Sequence, residues 1–338
     1  MLPPLFLAIS WGQELIDPIV FGGRFNLPML PRGPFLGVLT TPFSAPAALL
    51  QLEGAPLDGG RARGGARLPL ERAAGGDTPV LPFQATAGSV RLLLDSGASS
   101  TMVTPELARR LGLASRPMPD GGAALAGAGG DCALPAARRT RLPTLSLAGM
   151  RLERLEALLL PIAALPPGVD GVLGVPTLRR LPVWVDPGGD GLALGPPALQ
   201  AAASAGAPRL RLPLRLHRGV PLLELQGEGR PIPALVDSGA EGLFLSPSLA
   251  GRLAPLGAAQ PLRLVGVCGE QPVSRRTYAG LVLPGEPPAS LAQPFEGIVT
   301  TNPIFEQLGV EAIAGQELLR HRRQLWRLDA PRPELLLW

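Results

Sequence analysis

Residues 79–113 read PVLPFQATAGSVRLLLDSGASSTMVTPELARRLGL, and residues 221–255 read PLLELQGEGRPIPALVDSGAEGLFLSPSLAGRLAP. Laid over each other without a gap, at an offset of 142, they share Pro, Leu, Gln and Leu on the approach, then Asp-Ser-Gly-Ala, then Pro-x-Leu-Ala-x-Arg-Leu. In each copy a short apolar run (92–94 or 234–236) enters Asp-Ser-Gly, the pattern of a buried strand ending in a tight turn. A second short strand is predicted at 101–103 and at 243–245. Thr104-Pro105 and Ser246-Pro247 then place a capping hydroxyl before a Pro at the first helical position.

The repetition continues in the same order. AGAGGD (126–131) answers VGVCGE (265–270), and DGVLGVPTLRRLPVWVD (170–186) answers EAIAGQELLRHRRQLWRLD (311–329). Three blocks in one order point to internal duplication. Later short strands, at 142–147, 155–160 and 183–185, are punctuated by Gly and Pro. The reading is therefore mostly β: residues 75–198 as a first half, an Ala-rich linker at 199–211, and a second half at 212–338. Residues 1–74 read as an N-terminal extension of low order, whose Gly- and Arg-rich end is unsuited to packing.

Composition narrows the chemistry. The 338 residues hold 43 Gly and 41 Pro, yet 46% of the chain is hydrophobic, enough for a sizeable core in a turn-rich protein. The 31 basic residues are all Arg, so the net charge of +4 reports Arg in place of Lys more than a nucleic-acid surface. Without Lys there is no phosphate-binding loop ending in Gly-Lys and no Lys Schiff base. Two histidines, His217 and His321, each beside Arg, and two cysteines, Cys132 and Cys268, supply neither a His-rich metal site nor a disulfide framework. Neither a metal nor another cofactor is expected. Carboxylates, hydroxyls and backbone groups remain.

One Asp-Ser-Gly is an ordinary surface turn. Two, in matched strand-flanked positions, allow a pseudo-twofold arrangement that brings Asp95 and Asp237 face to face. Carboxylates so placed share a proton and titrate as a unit. The ionised member can take a proton from a water between them, while the protonated one donates to the carbonyl under attack.

On these motifs the chain resembles the retropepsin-like aspartic proteases, in the form where two halves are fused, as in pepsin-like enzymes. LLLDSGASSTMVT and ALVDSGAEGLFLS match that family's catalytic motif. The resemblance, from about Asp77 to Asp329, implies two β-barrel halves about a pseudo-twofold axis, each with one or two short helices. It implies that Asp95 and Asp237 are catalytic, that Ser96 and Ser238 hydrogen-bond across the axis, and that Gly97 and Gly239 complete the loops. Val172-Leu173-Gly174 and Ile313-Ala314-Gly315 match the motif packed beneath each loop, followed by helices over 177–181 and 317–321. Gly127, Ala128, Gly129 and Gly130, with Gly266, Val267, Cys268 and Gly269, fall where the family carries its substrate flap.

The second copy departs from the pattern. Glu241 replaces Ser99, Ala314 is small, and a Pro-rich insertion occupies 284–297. The expected activity is aspartic endopeptidase cleavage of a peptide or protein substrate. The expected species is a monomer holding an internal pseudo-dimer, with no nucleic acid and no integral membrane span. A non-catalytic peptide-binding or assembly module is the alternative that the divergent second half motivates. Cys132 and Cys268, at non-equivalent positions beside the flaps, are expected as unpaired thiols, and Tyr278 as structural. The stretch from Met29, with Arg32, an apolar run and Ala45-Pro46-Ala47, carries the pattern of an export signal, the alternative being an apolar low-complexity leader with no signal function. Export to the periplasm follows if it serves as one, and a cytoplasmic location otherwise.

Overall fold

The computed structural model describes the backbone of residues 49–52, 57–118, 123–127, 130–134, 137–162, 165–266 and 268–338. Side chains are described for these residues except 49–52, 123–127 and 130–134. The Met29 signal reading lies outside them.

The first half is built from strands β1 (Ala66–Pro69), β2 (Pro79–Ala85), β3 (Gly88–Leu94) and β4 (Met102–Val103), then helix α1 (Pro105–Arg110). It continues through the hairpin β5 (Ala123–Gly127) and β6 (Gly130–Leu134), then β7 (Arg138–Arg141), β8 (Glu156–Leu159), β9 (Gly171–Leu173) and α2 (Val175–Leu178). Strands β10 (Val183–Asp186) and β11 (Gly191–Leu194) and helix α3 (Pro196–Ser204) end it. After β12 (Leu210–Pro213) the second half runs β13 (Val220–Gly227), β14 (Arg230–Val236), β15 (Leu243–Leu245) and α4 (Pro247–Arg252). Its hairpin is β16 (Gln260–Gly266) and β17 (Gly269–Ala279), followed by β18 (Phe295–Val299), α5 (Ile304–Leu308) and β19 (Ala312–Ala314). Helix α6 (Gln316–Leu319), β20 (Gln324–Arg327) and β21 (Glu334–Leu337) close the chain.

The same strand order occurs twice. In the first half it is β2-β3-β9-β4-β8-β7, and in the second β13-β14-β19-β15-β18-β17. Pairing directions agree strand for strand: β3 is parallel to β9 and β14 to β19, while β9 is antiparallel to β4 and β19 to β15. A third sheet, β12-β21-β20-β10-β11-β1, reads the same from either half, with β10 and β20 paired across its centre (Val183 opposite Trp326). The protein is mostly β, two barrel-like halves about a pseudo-twofold axis, as expected.

The strands that lead to the Asp-Ser-Gly turns are buried on both faces, which is why their sequences run apolar without alternation. In β3, Val90, Leu92 and Leu94 join the large core shared with the central sheet, while Leu93 turns to a smaller cluster with Val80, Met102, Leu158 and Val172. The second half repeats the smaller cluster with Leu222, Leu235, Phe244, Ile298 and Ile313. Both capping expectations hold: Thr104 Oγ1 accepts from Leu107 N at 3.2 Å, and Ser246 Oγ from Leu249 N at 3.1 Å.

Four segments differ from their expected form. Residues 57–74 fold: β1 pairs with β11, and Leu57, Ala66, Leu70 and Ala73 are buried between its charges. The Ala-rich stretch read as a linker includes α3, whose Ala198 and Ala202 are small enough to press against the central sheet beside Trp184. The helices after the Gly motifs begin earlier than expected, at Val175 and Gln316, directly after Gly174 and Gly315. Tyr278 is buried and stacks on Phe295 with ring centroids 6.1 Å apart. Among the described residues no helix is long and apolar enough to cross a membrane.

Candidate active site

Each Asp-Ser-Gly turn hangs between two parallel strands. Asp95 N donates to Leu173 O at 3.2 Å at the end of β9, and Asp237 N donates to Ala314 O at 3.0 Å at the end of β19. Within the turns, Gly97 N donates to Asp95 Oδ1 at 2.9 Å and Gly239 N to Asp237 Oδ1 at 2.8 Å. The carboxylates are therefore aimed by their own loops. Gly174 and Gly315 lie beneath: a Cβ on Gly174 would stand 2.5 Å from Ser100 O, and one on Gly315 would stand 2.3 Å from Ala240 O.

The two turns interlock. Ser96 Oγ donates to Val236 O at 2.9 Å and accepts from Ser238 N at 2.9 Å. Ser238 Oγ donates to Leu94 O at 2.8 Å and accepts from Ser96 N at 3.0 Å. Each hydroxyl thus ties its own turn to the strand end and the amide of the other. The glycines make room for the opposite acid: a Cβ on Gly97 would fall 2.4 Å from Asp237 Cγ, and one on Gly239 would fall 2.6 Å from Asp95 Cγ. No side chain larger than hydrogen fits at either position without moving a carboxylate.

Asp95 and Asp237 meet with their side chains hydrogen-bonded to each other, at 1% and 0% exposure. Burial raises the Asp95 pKa well above the ordinary 3.8, the Asp237 charge adds to the rise, and the bond to Asp237 reinforces it. Backbone donors at Gly97 and Ala98 pull the other way without cancelling it. A proton is thereby retained in the pair at a pH where an isolated Asp has lost it.

Other residues at the site went unread in the sequence. Gln316, 3% exposed, donates through Nε2 to Ser238 O at 2.7 Å and braces the second turn. Thr101 Oγ1 accepts from Gly174 N at 3.2 Å and braces the first. The available signal for Gln316 was a polar residue directly after Ile-Ala-Gly, where the first copy has Val175. Glu241 stands in the sequence as a departure from the repeat, and the fold gives it partners in the first half. It accepts from Asp77 N at 2.7 Å, Thr78 N at 2.9 Å and Thr78 Oγ1 at 2.5 Å.

The two proposed flap segments lie at hairpin turns. Gly127 opposite Gly130 ends the β5–β6 hairpin, with Ala128 and Gly129 outside the described residues. Gly266 opposite Gly269 ends the β16–β17 hairpin, with Val267 outside them and Gly269 at φ +113°. Cys268, at that turn, packs against the first-half cluster of Ala98 and Met102, so the second hairpin reaches across to the first half. Cys268 is in a disulfide, which corrects the expectation of two unpaired thiols. That expectation weighed non-equivalent repeat positions, whereas the reach of the hairpin decides what the thiol meets. The Cys132 side chain lies outside the described residues. Among them, no group of three or more His, Cys, Asp or Glu side chains is placed to hold a metal ion.

No curated protein of known sequence matches the chain. Among solved structures it is similar to conglutin gamma, a basic 7S globulin from lupine seeds, at a TM-score of 0.46 and 12% identity over 81% of this chain and 95% of that one. It is also similar to the basic 7S globulin from soybean, at a TM-score of 0.45 and 11% identity over 83% of this chain and 95% of that one. Residues 87–177, which carry the first Asp-Ser-Gly turn and the Gly174 motif beneath it, match the family model described as aspartyl protease. By that match, and by the two interlocked halves of its fold, the chain resembles the aspartyl proteases.

Proposed function

We propose that the protein is an aspartic endopeptidase that hydrolyses peptide bonds with a water activated by Asp95 and Asp237. One observation carries the reading: turns 142 residues apart, interlocked through Ser96 and Ser238, bring two buried carboxylates together, each against the opposite turn's glycine. In the reaction, the ionised member takes a proton from the water as its oxygen attacks the substrate carbonyl carbon. The protonated member gives its proton to the carbonyl oxygen. A tetrahedral diol forms, and its collapse breaks the C–N bond as the leaving nitrogen is protonated. Ser96, Ser238, Gly97 and Gly239 hold the two acids at contact distance throughout. The substrate is a peptide or an extended protein segment, and no cofactor takes part.

A peptide-library digestion between acidic and neutral pH tests this, run with wild type, Asp95→Asn and Asp237→Asn. The expected result is cleavage by wild type, blocked by a statine-type transition-state mimic and lost in both variants. Cleavage that survives both single substitutions would refute the reading. Peptide binding without turnover would place the protein among non-catalytic binding modules.

A further inference from the structure

We infer that Glu241 is a positioning residue, a clamp that fixes the second Asp-Ser-Gly turn against the first half and so sets the spacing of the two acids. The inference rests on the endopeptidase reading and deepens it. Glu241 lies four residues beyond Asp237, and it accepts three hydrogen bonds from the first half: from Asp77 N, Thr78 N and Thr78 Oγ1. Thr78 is 2% exposed, and its hydroxyl also lies 3.4 Å from Gly239 O, in the turn that receives Asp95. The approach is close: a Cβ on Gly76 would stand 2.2 Å from Glu241 Oε1 and would have to displace the carboxylate.

The contact closes a mechanical loop around the acids. Thr78 leads directly into β2, where Val80 lies opposite Leu93 of β3, two residues before Asp95. A shift of Glu241 is therefore passed through one strand pair to Asp95, and through its own turn to Asp237. The pseudo-equivalent position in the first turn holds Ser99, which carries no carboxylate. The carboxylate clamp is thus built on one side of the axis, at a residue where the repeat itself departs from symmetry.

The clamp is sensitive to protonation. Burial raises the Glu241 pKa above the ordinary 4.5, and the Asp77 charge adds to the rise, against the lowering by the Asp77 and Thr78 donors. The charged groups around it are Asp77 itself, Arg72 and Arg320, which approach Asp77 at 3.8 and 3.7 Å, and Glu317, paired with Arg320 at 2.9 Å. A neutral carboxyl accepts more weakly than a carboxylate, so acid loosens the hold on the Asp77 and Thr78 amides.

The test measures kcat and KM against pH for wild type, Glu241→Gln, Glu241→Ala and Thr78→Val, with amide exchange at Asp77 and Thr78 followed in parallel. Wild-type kcat is expected to rise as Glu241 ionises. Glu241→Gln, which mimics the protonated acid, is expected to stay at the wild-type acid-side value through that range. Glu241→Ala is expected to lower kcat by about tenfold or more near neutrality, with KM little changed. Exchange protection at the two amides should drop in Glu241→Ala, and in wild type below the titration. A Glu241→Gln profile that rises as wild type does, or unchanged protection in Glu241→Ala, would overturn the inference. If Glu241→Ala does not fold, Glu241→Gln and Thr78→Val decide it by the same two readouts. If wild type cleaves no peptide, the endopeptidase reading fails while the exchange data still judge the clamp.

Discussion

Removing the Ser96 hydroxyl is the most direct perturbation of the site, because its energetic consequence can be worked from two distances. In Ser96→Ala, Ser238 N loses its acceptor at 2.9 Å and Val236 O loses a donor at 2.9 Å, both where water does not reach. An unsatisfied buried amide costs about 1–3 kcal/mol and a lost neutral hydrogen bond about 1 kcal/mol, so the variant should be less stable by about 2–4 kcal/mol. For a chain of this length, about 2.1 cal/mol/K of unfolding entropy per residue gives about 1.4 °C of melting temperature per kcal/mol, which puts the loss at roughly 3–6 °C. Ser238→Ala removes the mirror pair, to Ser96 N and Leu94 O, and should cost the same. The two residues bond each other's amides in one network, so the double variant should depart from the sum of the single losses, and the double-mutant cycle measures that coupling. Loosened loops also misplace the acids, which lowers kcat by about 10–100-fold. Thermal and urea unfolding, with turnover of one peptide, measure all three quantities. A Ser96→Ala protein that melts within 1 °C of wild type (about a third of the smallest expected shift) with unchanged kcat would refute the reasoning.

Asp95→Asn should abolish hydrolysis and yet stabilise the protein near neutrality. The raised pKa means that the folded state keeps a proton the unfolded chain has released, so wild-type stability falls as pH rises from 3.8 through the raised value. Melting curves should show the Asn variant ahead of wild type above that window and level with it below. Gly239→Ala drives a methyl to 2.6 Å from Asp95 Cγ, and should reduce kcat by about a hundredfold or more while peptide affinity changes less. Glu156→Gln is a control away from the acids. Burial pushes the Glu156 pKa up, but bonds from Arg139, Asp58 and Arg141 outweigh it and leave the carboxyl below its ordinary value. Its contribution is present at neutral pH and lost as pH falls through the lowered value, so Gln should cost about 2 kcal/mol near pH 7, less in acid, with kcat unchanged.

The parts of this protein legible in its sequence are those whose cause is local. Unbroken apolar runs that enter Asp-Ser-Gly report strands buried on both faces, and Thr104-Pro105 and Ser246-Pro247 report helix starts, because a cap needs only its own next three residues. Repetition of the pattern, in the same order and at nearly the same spacing, carried the two-half architecture. Contacts between distant segments left weaker marks. A Gly- and Arg-rich stretch looked unfit to pack, yet β1 joins the central sheet because β11 offers it an edge, and backbone pairing does not depend on side-chain type. Gln316 reads in sequence as a polar residue near an apolar motif; its brace on Ser238 O exists only once 78 residues of chain have folded between them. Glu241 reads as an extra acid, and only the folded chain, by bringing Asp77 and Thr78 to it across more than 160 residues, turns it into an acceptor for three donors. Two carboxylates can be found by inspecting a sequence, but their contact, and the proton it retains, arise from burial and from two glycines that leave room for the opposite acid.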